Sequence, residues 1–148
     1  MKDSYDVVVV GGGPAGSMAA WETAKSGASV CILEKDRDIG YPVRCGEAAG
    51  HSGLTQFVEL KQSWIAEKIT GLTLVSPSGI KVDVDFKAEI GYILNRRIFD
   101  YDLSLYAANA GAAVYTKAYV KGVLIRNGSV GGVVLDYLGK EKEIKAKI

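Results

Sequence analysis

The sequence lacks the features that would place the protein in a membrane, outside the cell or on a nucleic acid. No apolar run approaches the roughly 20 residues that a membrane-spanning helix needs. Residues 1–4 lead directly into an apolar strand without a hydrophobic leader, so we do not expect export. The formal net charge of +1 gives no electrostatic reason to expect a nucleic-acid partner. We therefore expect a cytoplasmic protein that does not bind nucleic acid.

Cysteine is scarce, and its scarcity excludes a disulfide-stapled fold. The two cysteines, Cys31 and Cys45, are too few for the disulfide framework of a small secreted protein. Cys31 lies inside an apolar run and is expected to be a small core residue. Cys45 lies in a glycine-containing segment instead. We predict no metal site.

What the sequence does contain is one continuous unit in residues 5–34, YDVVVVGGGPAGSMAAWETAKSGASVCILE. Residues 7–10 are all valine, which predicts a strand buried on both faces of a parallel sheet. A helix is expected over residues 15–26, with Gly27 as its C-terminal stop. A second strand is expected over residues 29–33. Together these elements predict an α/β fold.

The glycines of this unit match the pattern G-x-G-x-x-G at Gly11, Gly13 and Gly16. In this pattern the first glycine permits a tight turn, the second lets a pyrophosphate approach the backbone, and the third allows the helix to pack closely on the strand. Pro14 suits the first turn of a helix, where a missing N–H is harmless, and Ala15 follows it. The N–H groups at a helix N-terminus attract phosphate. The pattern therefore predicts nucleotide binding.

Glu34 follows the second predicted strand, about 20 residues past the glycines. An acid at this distance accepts hydrogen bonds from the ribose hydroxyls of a dinucleotide. A carboxylate here would repel a cofactor that carries a phosphate on the adenosine 2′ oxygen. FAD and NAD both remain compatible with the unit. We predict that Lys35, the next residue, also contacts the cofactor.

Beyond residue 38 the regular alternation of strand and helix ends. Residues 39–50 have neither helical nor strand periodicity and predict an irregular loop, which holds Arg44, Cys45 and Glu47 close together. Reactive side chains on loops of a rigid scaffold often form sites, although a surface loop is an equal alternative from the residues alone. Residues 51–68 predict one or two short helices with an apolar stripe.

Strand patterns dominate the rest of the chain. Residues 69–76 and 80–86 predict a hairpin, which forms a lobe over residues 69–90. Asn127-Gly128 lies between two β-rich runs and is the strongest short hairpin signal in the chain. The remaining predicted elements are a strand at 90–94, a helix at 96–109, a third parallel strand at 112–115, and a three-strand meander at 119–126, 129–137 and 141–148.

Residues 40–47, with the sequence GYPVRCGE, are the most distinctive stretch. Together with the glycine-rich unit, this loop resembles the geranylgeranyl reductase family of FAD-dependent enzymes, and within it the archaeal members that act on ether lipids. Residues 91–100, GYILNRRIFD, are similar to a segment of that family in which an arginine precedes the Phe-Asp that starts a helix. The resemblance extends over essentially all 148 residues.

The resemblance implies a Rossmann-like FAD-binding domain of the glutathione reductase and p-hydroxybenzoate hydroxylase type. This domain would occupy residues 1–148, would be truncated, and would include the meander and the hairpin lobe. The implied activity is FAD-dependent reduction of isoprenoid double bonds in geranylgeranyl chains of membrane ether lipids, with electrons from ferredoxin or NAD(P)H. The prenylated lipid would be the partner, and a further C-terminal domain would give the full-length form peripheral membrane contact. The 148-residue piece alone is expected to be inactive.

Carried over by position, the resemblance assigns cofactor contacts along the chain. Ala15 and Gly16 would face the pyrophosphate, and Glu34 would face the adenosine ribose. The backbone near Val120 would meet the adenine. Arg97 stands next to Arg96, so either arginine could be the one that contacts FAD. The contacts expected on the flavin side are Arg44, Cys45, Gly46, Ala48 and Arg96.

Cys45 is the candidate catalytic residue. Reduction of an isolated alkene needs a proton as well as a hydride, and Cys45 is the only candidate acid in the distinctive loop. Alternatively, Cys45 shapes the cavity. Two other functions also remain open, namely a flavin-dependent monooxygenase or halogenase on the same scaffold and a non-catalytic nucleotide-binding module.

Overall fold

The structure is a computed structural model that describes residues 1–85, 87 and 91–148. Its helices and strands follow the predicted order along the chain, with one further short strand at the start and two in the middle. None of the helices in these ranges is both long enough and apolar enough to cross a bilayer. The elements are β1 (Ser4–Tyr5), β2 (Val7–Val10), α1 (Pro14–Lys25), β3 (Val30–Leu33), β4 (Ala48–Gly50), α2 (His51–Thr55), a 3₁₀ turn (Gln62–Trp64), β5 (Ile65–Ile69), β6 (Gly71–Val75), β7 (Lys81–Asp85), β8 (Gly91–Leu94), α3 (Arg96–Asn109), β9 (Ala113–Tyr115), β10 (Ala118–Arg126), β11 (Ser129–Tyr137) and β12 (Lys140–Ala146).

The chain forms two compact units. Unit 1 comprises residues 1–42 and 100–148, and unit 2 comprises residues 43–99. That residues 1–148 form one cofactor-binding domain, with an inserted lobe at 69–90, stays a prediction. The α/β fold class, the three-strand meander and the hairpin are all present.

A parallel sheet in the order β2-β3-β9 lies at the centre of unit 1. β3 is buried along its whole length, as a central parallel strand should be. The prediction that β2 is buried on both faces is wrong, because β2 is half-buried and Val10 is 58% exposed. In the described part of the chain β2 is the end strand of this sheet, so only β3 is flanked on both edges.

The side chains of β3 alternate between two hydrophobic cores. Val30 and Ile32 face a core shared with alanines of α1 and α3, where small side chains let the helices approach the sheet. Cys31 and Leu33 face a second core, shared with Tyr5 and the meander. Burial of a large aliphatic side chain stabilises a fold by about 1.5–3 kcal/mol. Unit 1 therefore has three layers: helices, parallel sheet and meander sheet.

The helices of unit 1 begin and end where the local sequence predicts. Pro14 occupies the first turn of α1, and Gly27, with φ of +85°, follows its end and donates a hydrogen bond to the carbonyl of Ala24 (2.9 Å). α3 matches the predicted range of 96–109 and is followed by Gly111, which has φ of +110°. The amides of Ile98 and Phe99 donate to the carbonyl of Asn95 at the start of α3.

The meander is formed by β10, β11 and β12 in antiparallel order, and β1 pairs with β12 in parallel. Asn127 and Gly128 have φ of +50° and +78°, and Leu138 and Gly139 have φ of +55° and +79°. Two successive residues with positive φ form the type I′ turn, whose twist suits a tight hairpin. The predicted meander is confirmed, with ends that shift by one or two residues.

Unit 2 contains an antiparallel sheet in the order β4-β8-β5, which differs from the prediction at two places. β4 occupies the end of the predicted loop at 39–50, and β5 occupies the end of the predicted helical segment at 51–68. Both become strands because each pairs with an edge of β8. Trp64 is fully buried and meets Phe99 edge-on, with 5.0 Å between the ring centroids.

The predicted hairpin is confirmed as the strand pair β6 and β7, closed by a turn at which Gly79 has φ of +84°. Cross-strand partners place Leu72 opposite Val84 and Leu74 opposite Val82. The apolar face that these residues form is largely open to solvent, and Leu74 and Val82 are each more than half exposed. Phe86 and Ile90, which the predictions include in neighbouring strands, lie outside the described residues.

Gly132 is the glycine of β11 that the fold requires. Its φ is +149°, and a Cβ at this position would overlap the carbonyl oxygen of Ile144 in the adjacent strand. We expect Gly132→Ala to lower the free energy of unfolding by roughly 2 kcal/mol or more. Urea unfolding followed by circular dichroism would measure the change.

Gly131→Ala is the matched control for this substitution. A Cβ at Gly131 would come no closer than 3.6 Å to other atoms, and those atoms belong to the flexible side chain of Arg126. Its unfolding midpoint should therefore stay close to that of the unsubstituted chain. Equal midpoints for the two variants would contradict the assignment of a steric role to Gly132.

The carboxylate of Asp6 links the N-terminal and C-terminal segments of unit 1. Asp6 accepts hydrogen bonds from the Ser29 amide (2.8 Å) and hydroxyl (2.6 Å), and it lies 2.7 Å from the Lys147 ammonium. These contacts, first with Lys147 and then with Ser29, hold the pKa of Asp6 well below its ordinary value. The stability that this carboxylate contributes is therefore present above about pH 4, the ordinary aspartate range, and is lost as the pH falls toward the folded pKa.

We expect Asp6→Asn to lower the urea midpoint at about pH 7, and the difference from the unsubstituted chain to shrink at about pH 3. Asp3→Asn, at a neighbouring exposed aspartate, should leave a much smaller difference at both pH values. A difference for Asp6→Asn that is unchanged or larger in acid would contradict a stabilising role for the ionised carboxylate.

Candidate functional site

The glycine-rich segment of unit 1 forms a tight turn between β2 and α1. Gly11 has φ of +104°, a conformation that favours glycine, and its amide donates to the carbonyl of Leu33 in β3 (2.9 Å). The turn is thus fixed to the central strand at its first residue. This agrees with the role that the sequence predicts for Gly11.

The N-terminus of α1 is open toward solvent at Gly13. Gly13 is the N-cap, and no side chain forms a capping hydrogen bond there. A Cβ built on Gly13 would have no other atom within 4 Å. The first amides of a helix lack partners within the helix and carry partial positive charge. A side chain at position 13 would project into this open space. Glycine therefore leaves room there for a phosphate group of a bound nucleotide.

Gly16 has a different role from Gly13. A Cβ on Gly16 would overlap the carbonyl oxygen of Gly11 and lie 3.1 Å from Cγ1 of Val9. Close contact between α1 and the end of β2 therefore requires glycine at this position. Pro14 and Ala15 lie in the first turn of α1, between these two glycines.

Glu34 lies at the carboxyl end of β3, beside the glycine turn. Its Oε2 accepts a hydrogen bond from the amide of Gly12 at 2.7 Å, and its Oε1 accepts one from the amide of Asp36 at 2.9 Å. A carboxylate has about four acceptor positions, so two remain for other donors such as ribose hydroxyls. Lys35 is exposed beside Glu34.

Val120 lies in β10, at the edge of the core beneath the meander. It is half-buried and packs against the core cluster of Tyr5, Cys31 and Leu33. The pairing of β10 with β11 shifts by one residue between Val120 and Gly122, so the strand is irregular at this point. The adenine contact assigned to Val120 stays a prediction.

In unit 2 the structure brings Cys45 and Arg96 together. Nη1 of Arg96 donates to Sγ of Cys45 at 3.0 Å, across a sequence separation of 51 residues. The amide of Glu47 also donates to this sulfur, at 3.4 Å. Glu47 has φ of +59°, in the left-handed region. The carbonyl of Glu47 accepts from the Leu94 amide (2.9 Å), so β8 supports the loop.

The other predicted contacts of unit 2 are accessible. Arg44, Cys45, Gly46 and Ala48 are all exposed, and Ala48 pairs with Ile93 as the first residue of β4. Arg97 is exposed, whereas Arg96 is half-buried. The contact with Cys45 therefore distinguishes Arg96 from its neighbour. That either arginine binds a cofactor stays a prediction.

The second cysteine is part of the core. Cys31 is fully buried in β3, and burial raises the pKa of its thiol to about 12. Burial, followed by a hydrogen bond with Tyr5 (3.0 Å between the hydroxyl oxygens), also raises the pKa of Tyr115. Cys31 is therefore an inert core thiol, as predicted, and Cys45 is the accessible one. Within the described ranges no group of three or more metal-ligating side chains is close enough to hold an ion.

Two residues that support the glycine turn are missing from the sequence prediction. Ser17 is fully buried and donates its hydroxyl to the carbonyl of Gly12 (3.1 Å). Ile39 is buried, and its Cδ1 would lie 3.0 Å from a Cβ on Gly12. A serine directly after the third glycine, on the inward face of α1, is a signal that could have identified Ser17. The contact with Ile39 is tertiary and leaves no local pattern.

Comparison with known proteins gives consistent similarities. The model of the FAD-dependent oxidoreductase family matches residues 6–66. Digeranylgeranylglycerophospholipid reductase of Methanosarcina acetivorans is 45% identical over 151 residues, covering 100% of this chain and 37% of that protein. Digeranylgeranylglycerophospholipid reductase 1 of Methanococcoides burtonii is 43% identical, with the same coverage of both chains.

A solved structure is similar over almost the whole chain. The geranylgeranyl bacteriochlorophyll reductase-like protein of Thermoplasma acidophilum has a TM-score of 0.88 and 38% identity, covering 99% of this chain and 38% of that one. Over its whole length the chain is similar to proteins of the geranylgeranyl reductase family. Its fold is the Rossmann-like FAD-binding fold of these flavoproteins.

More distant structures share the fold alone. The myxobacterial chondrochloren halogenase has a TM-score of 0.74 but only 20% identity, over 98% of this chain and 36% of that one. The halogenase alternative therefore gains no support beyond the common scaffold. The chain spans 37% of the length of the Methanosarcina and Methanococcoides reductases.

The two glycines of the turn allow phosphate approach and folding to be tested separately. Gly13 has φ of −70° and ψ of −177°, which alanine adopts freely, so Gly13→Ala should change the unfolding free energy by less than about 0.5 kcal/mol. The new methyl group would obstruct the phosphate approach. We expect ADP affinity, measured by isothermal titration, to fall at least about tenfold.

Gly16→Ala, in contrast, should affect the unfolding free energy more than the approach of phosphate. The overlap with Gly11 should lower the unfolding free energy by roughly 1–3 kcal/mol. Unchanged ADP binding by Gly13→Ala would contradict the assignment of the open helix end as the phosphate site.

Proposed function

We propose that this chain binds the ADP half of FAD in a prenyl reductase. In this proposal the whole protein reduces isoprenoid double bonds in geranylgeranyl chains of membrane ether lipids. The observation that carries the substrate class is the 43–45% identity, over the full chain, to proteins named digeranylgeranylglycerophospholipid reductase. The observation that supports FAD binding is the open helix end at Gly13 beside Glu34.

The residues of unit 1 would bind and orient the cofactor. The first amides of α1 would hold the pyrophosphate, with Gly13 leaving room for its oxygens. Glu34 would accept from the ribose hydroxyls with the carboxylate positions that Gly12 and Asp36 leave available. FAD, when bound, supplies the hydride chemistry. The electron source would be an external donor, ferredoxin or NAD(P)H.

The residues of unit 2 would act on the flavin side. Saturation of an isolated alkene adds a hydride to one carbon and a proton to the other, so a proton source must lie near the second carbon. Cys45 is an exposed thiol held by Arg96 and by the Glu47 amide. We propose that this loop shapes the cavity for the prenyl chain, with Cys45 at its surface. A proton-donor role for Cys45 is the alternative.

Nucleotide titration of the 148-residue chain tests the cofactor assignment. We expect ADP and FAD to bind with similar affinity, because the contacts lie mainly on the ADP half. Binding of NAD without binding of FAD would overturn the flavoprotein proposal. Retention of yellow flavin through gel filtration would show that the chain also holds the isoalloxazine, which would contradict the division into an ADP half and a flavin half.

The role of Cys45 can be tested by assaying the whole protein of this proposal. Reduction is measured by the mass gain of the prenyl lipid, together with the rate of oxidation of reduced flavin. If Cys45 shapes the cavity, Cys45→Ala should lower kcat by less than about tenfold. A loss of about 100-fold or more is the size expected for removal of a general acid, and would establish the proton-donor role instead. Val43→Ala, in the same exposed loop, is the control.

A further inference from the structure

The carboxylate of Glu34 joins two loops of unit 1. One oxygen accepts from Gly12, in the turn before α1, and the other accepts from Asp36, in the turn after β3. The distances of 2.7 and 2.9 Å are those of strong, charge-assisted hydrogen bonds. Both donors are backbone amides of the chain itself. Glu34 therefore has a role in the protein itself, in addition to any contact with ribose.

The backbone of Glu34 is fixed on both sides. Its amide donates to the carbonyl of Tyr115 in β9, and its carbonyl accepts from the Ala118 amide in β10, both at 2.8 Å. The carbonyl of Asp36 accepts from Lys117 (3.0 Å) in the same connection. The carboxylate thus extends from a rigid backbone position. A rigidly held acceptor can restrain the loop that donates to it.

The glycine turn is held against this carboxylate by packing as well. Gly12 is buried, and a Cβ on it would lie 3.0 Å from Ile39 and 3.4 Å from Cβ of Glu34. The hydroxyl of Ser17 donates to the carbonyl of Gly12 from the other side. Both polar groups of the Gly12 backbone are therefore satisfied by side chains. Loss of the Glu34 contact would leave a buried amide without its acceptor, which is costly.

We propose that Glu34 is a positioning residue that fixes the glycine turn in its phosphate-accepting conformation before a nucleotide binds. This inference rests on the proposed binding of ADP at the N-terminus of α1. A nucleotide that meets a turn already in place loses less conformational freedom on binding, so its affinity is higher. Glu34 therefore strengthens phosphate binding even for a ligand that has no ribose hydroxyls. The conventional role of such an acid is limited to those hydroxyls.

The experiment compares two ligands on Glu34→Gln in the 148-residue chain. ADP carries the ribose 2′ and 3′ hydroxyls, and 2′,3′-dideoxy-ADP lacks both. Glutamine can offer its single carbonyl oxygen to one of the two amides, while its NH₂ group would face the other donor. We expect Glu34→Gln to bind dideoxy-ADP at least about fivefold more weakly than the unsubstituted chain, the equivalent of about 1 kcal/mol for one lost hydrogen bond.

Glu22→Gln makes the same change of charge on the exposed face of α1, where the Glu22 carboxylate pairs with the neighbouring Lys25, and it should leave both affinities unchanged. Unchanged dideoxy-ADP binding by Glu34→Gln, with ADP binding weakened, would overturn the inference and leave a ribose role alone. Failure of the unsubstituted chain to bind either ligand would instead overturn the proposed function.

A second measurement applies if Glu34→Gln does not fold. Amide hydrogen exchange in the unsubstituted, nucleotide-free chain should be at least about tenfold slower at Gly12 and Asp36, after correction for intrinsic rates, than at Ala15 in the uncapped first turn of α1. Exchange at Gly12 as fast as at Ala15 would show that the turn is not held in advance, and would overturn the inference.

Discussion

The complete burial of β3 is the constraint on which the rest of unit 1 depends. Its side chains alternate between the core under the helices and the core under the meander, so neither layer can shift without exposing apolar surface. The strand ends at Leu33, whose carbonyl accepts from Gly11. The next residue, Glu34, accepts from Gly12. The position of the glycine turn is thus a direct consequence of how β3 is packed.

Local chemistry is the part of this fold that could be predicted from the sequence. Glycines at positive φ, the proline at the start of α1 and Asn127-Gly128 each act over a few residues, and each element that they delimit is present. The range of α3 is matched at both ends for the same reason. The fold class follows from these local signals, because a strand, a glycine turn, a helix and a second strand have few ways to pack.

Tertiary pairing is the part that local patterns could not reveal. β4 and β5 are strands only because β8 lies between them, and their partner residues in β8 are 22 to 45 positions later in the chain. Their own residues, Ala48–Gly50 and Ile65–Ile69, carry no alternation that favours strand over loop or helix. Likewise, β2 lies at the edge of its sheet because, among the described strands of that sheet, it pairs with β3 alone. The contact of Arg96 with Cys45 spans 51 residues and is a product of the same pairing.

Glu34 and Cys45, which are both proposed contacts, differ in how firmly the chain holds their side chains. The carboxylate of Glu34 is bound by backbone amides whose positions strands determine, and a backbone donor loses little entropy on forming such a bond. Cys45 is exposed, and its shortest contact is with the side chain of Arg96. A contact of this kind at the surface contributes little to stability, and it restricts the many rotamers of a long arginine side chain. Of the two proposed contacts, Glu34 is therefore the rigid one and the loop that holds Cys45 is the adaptable one.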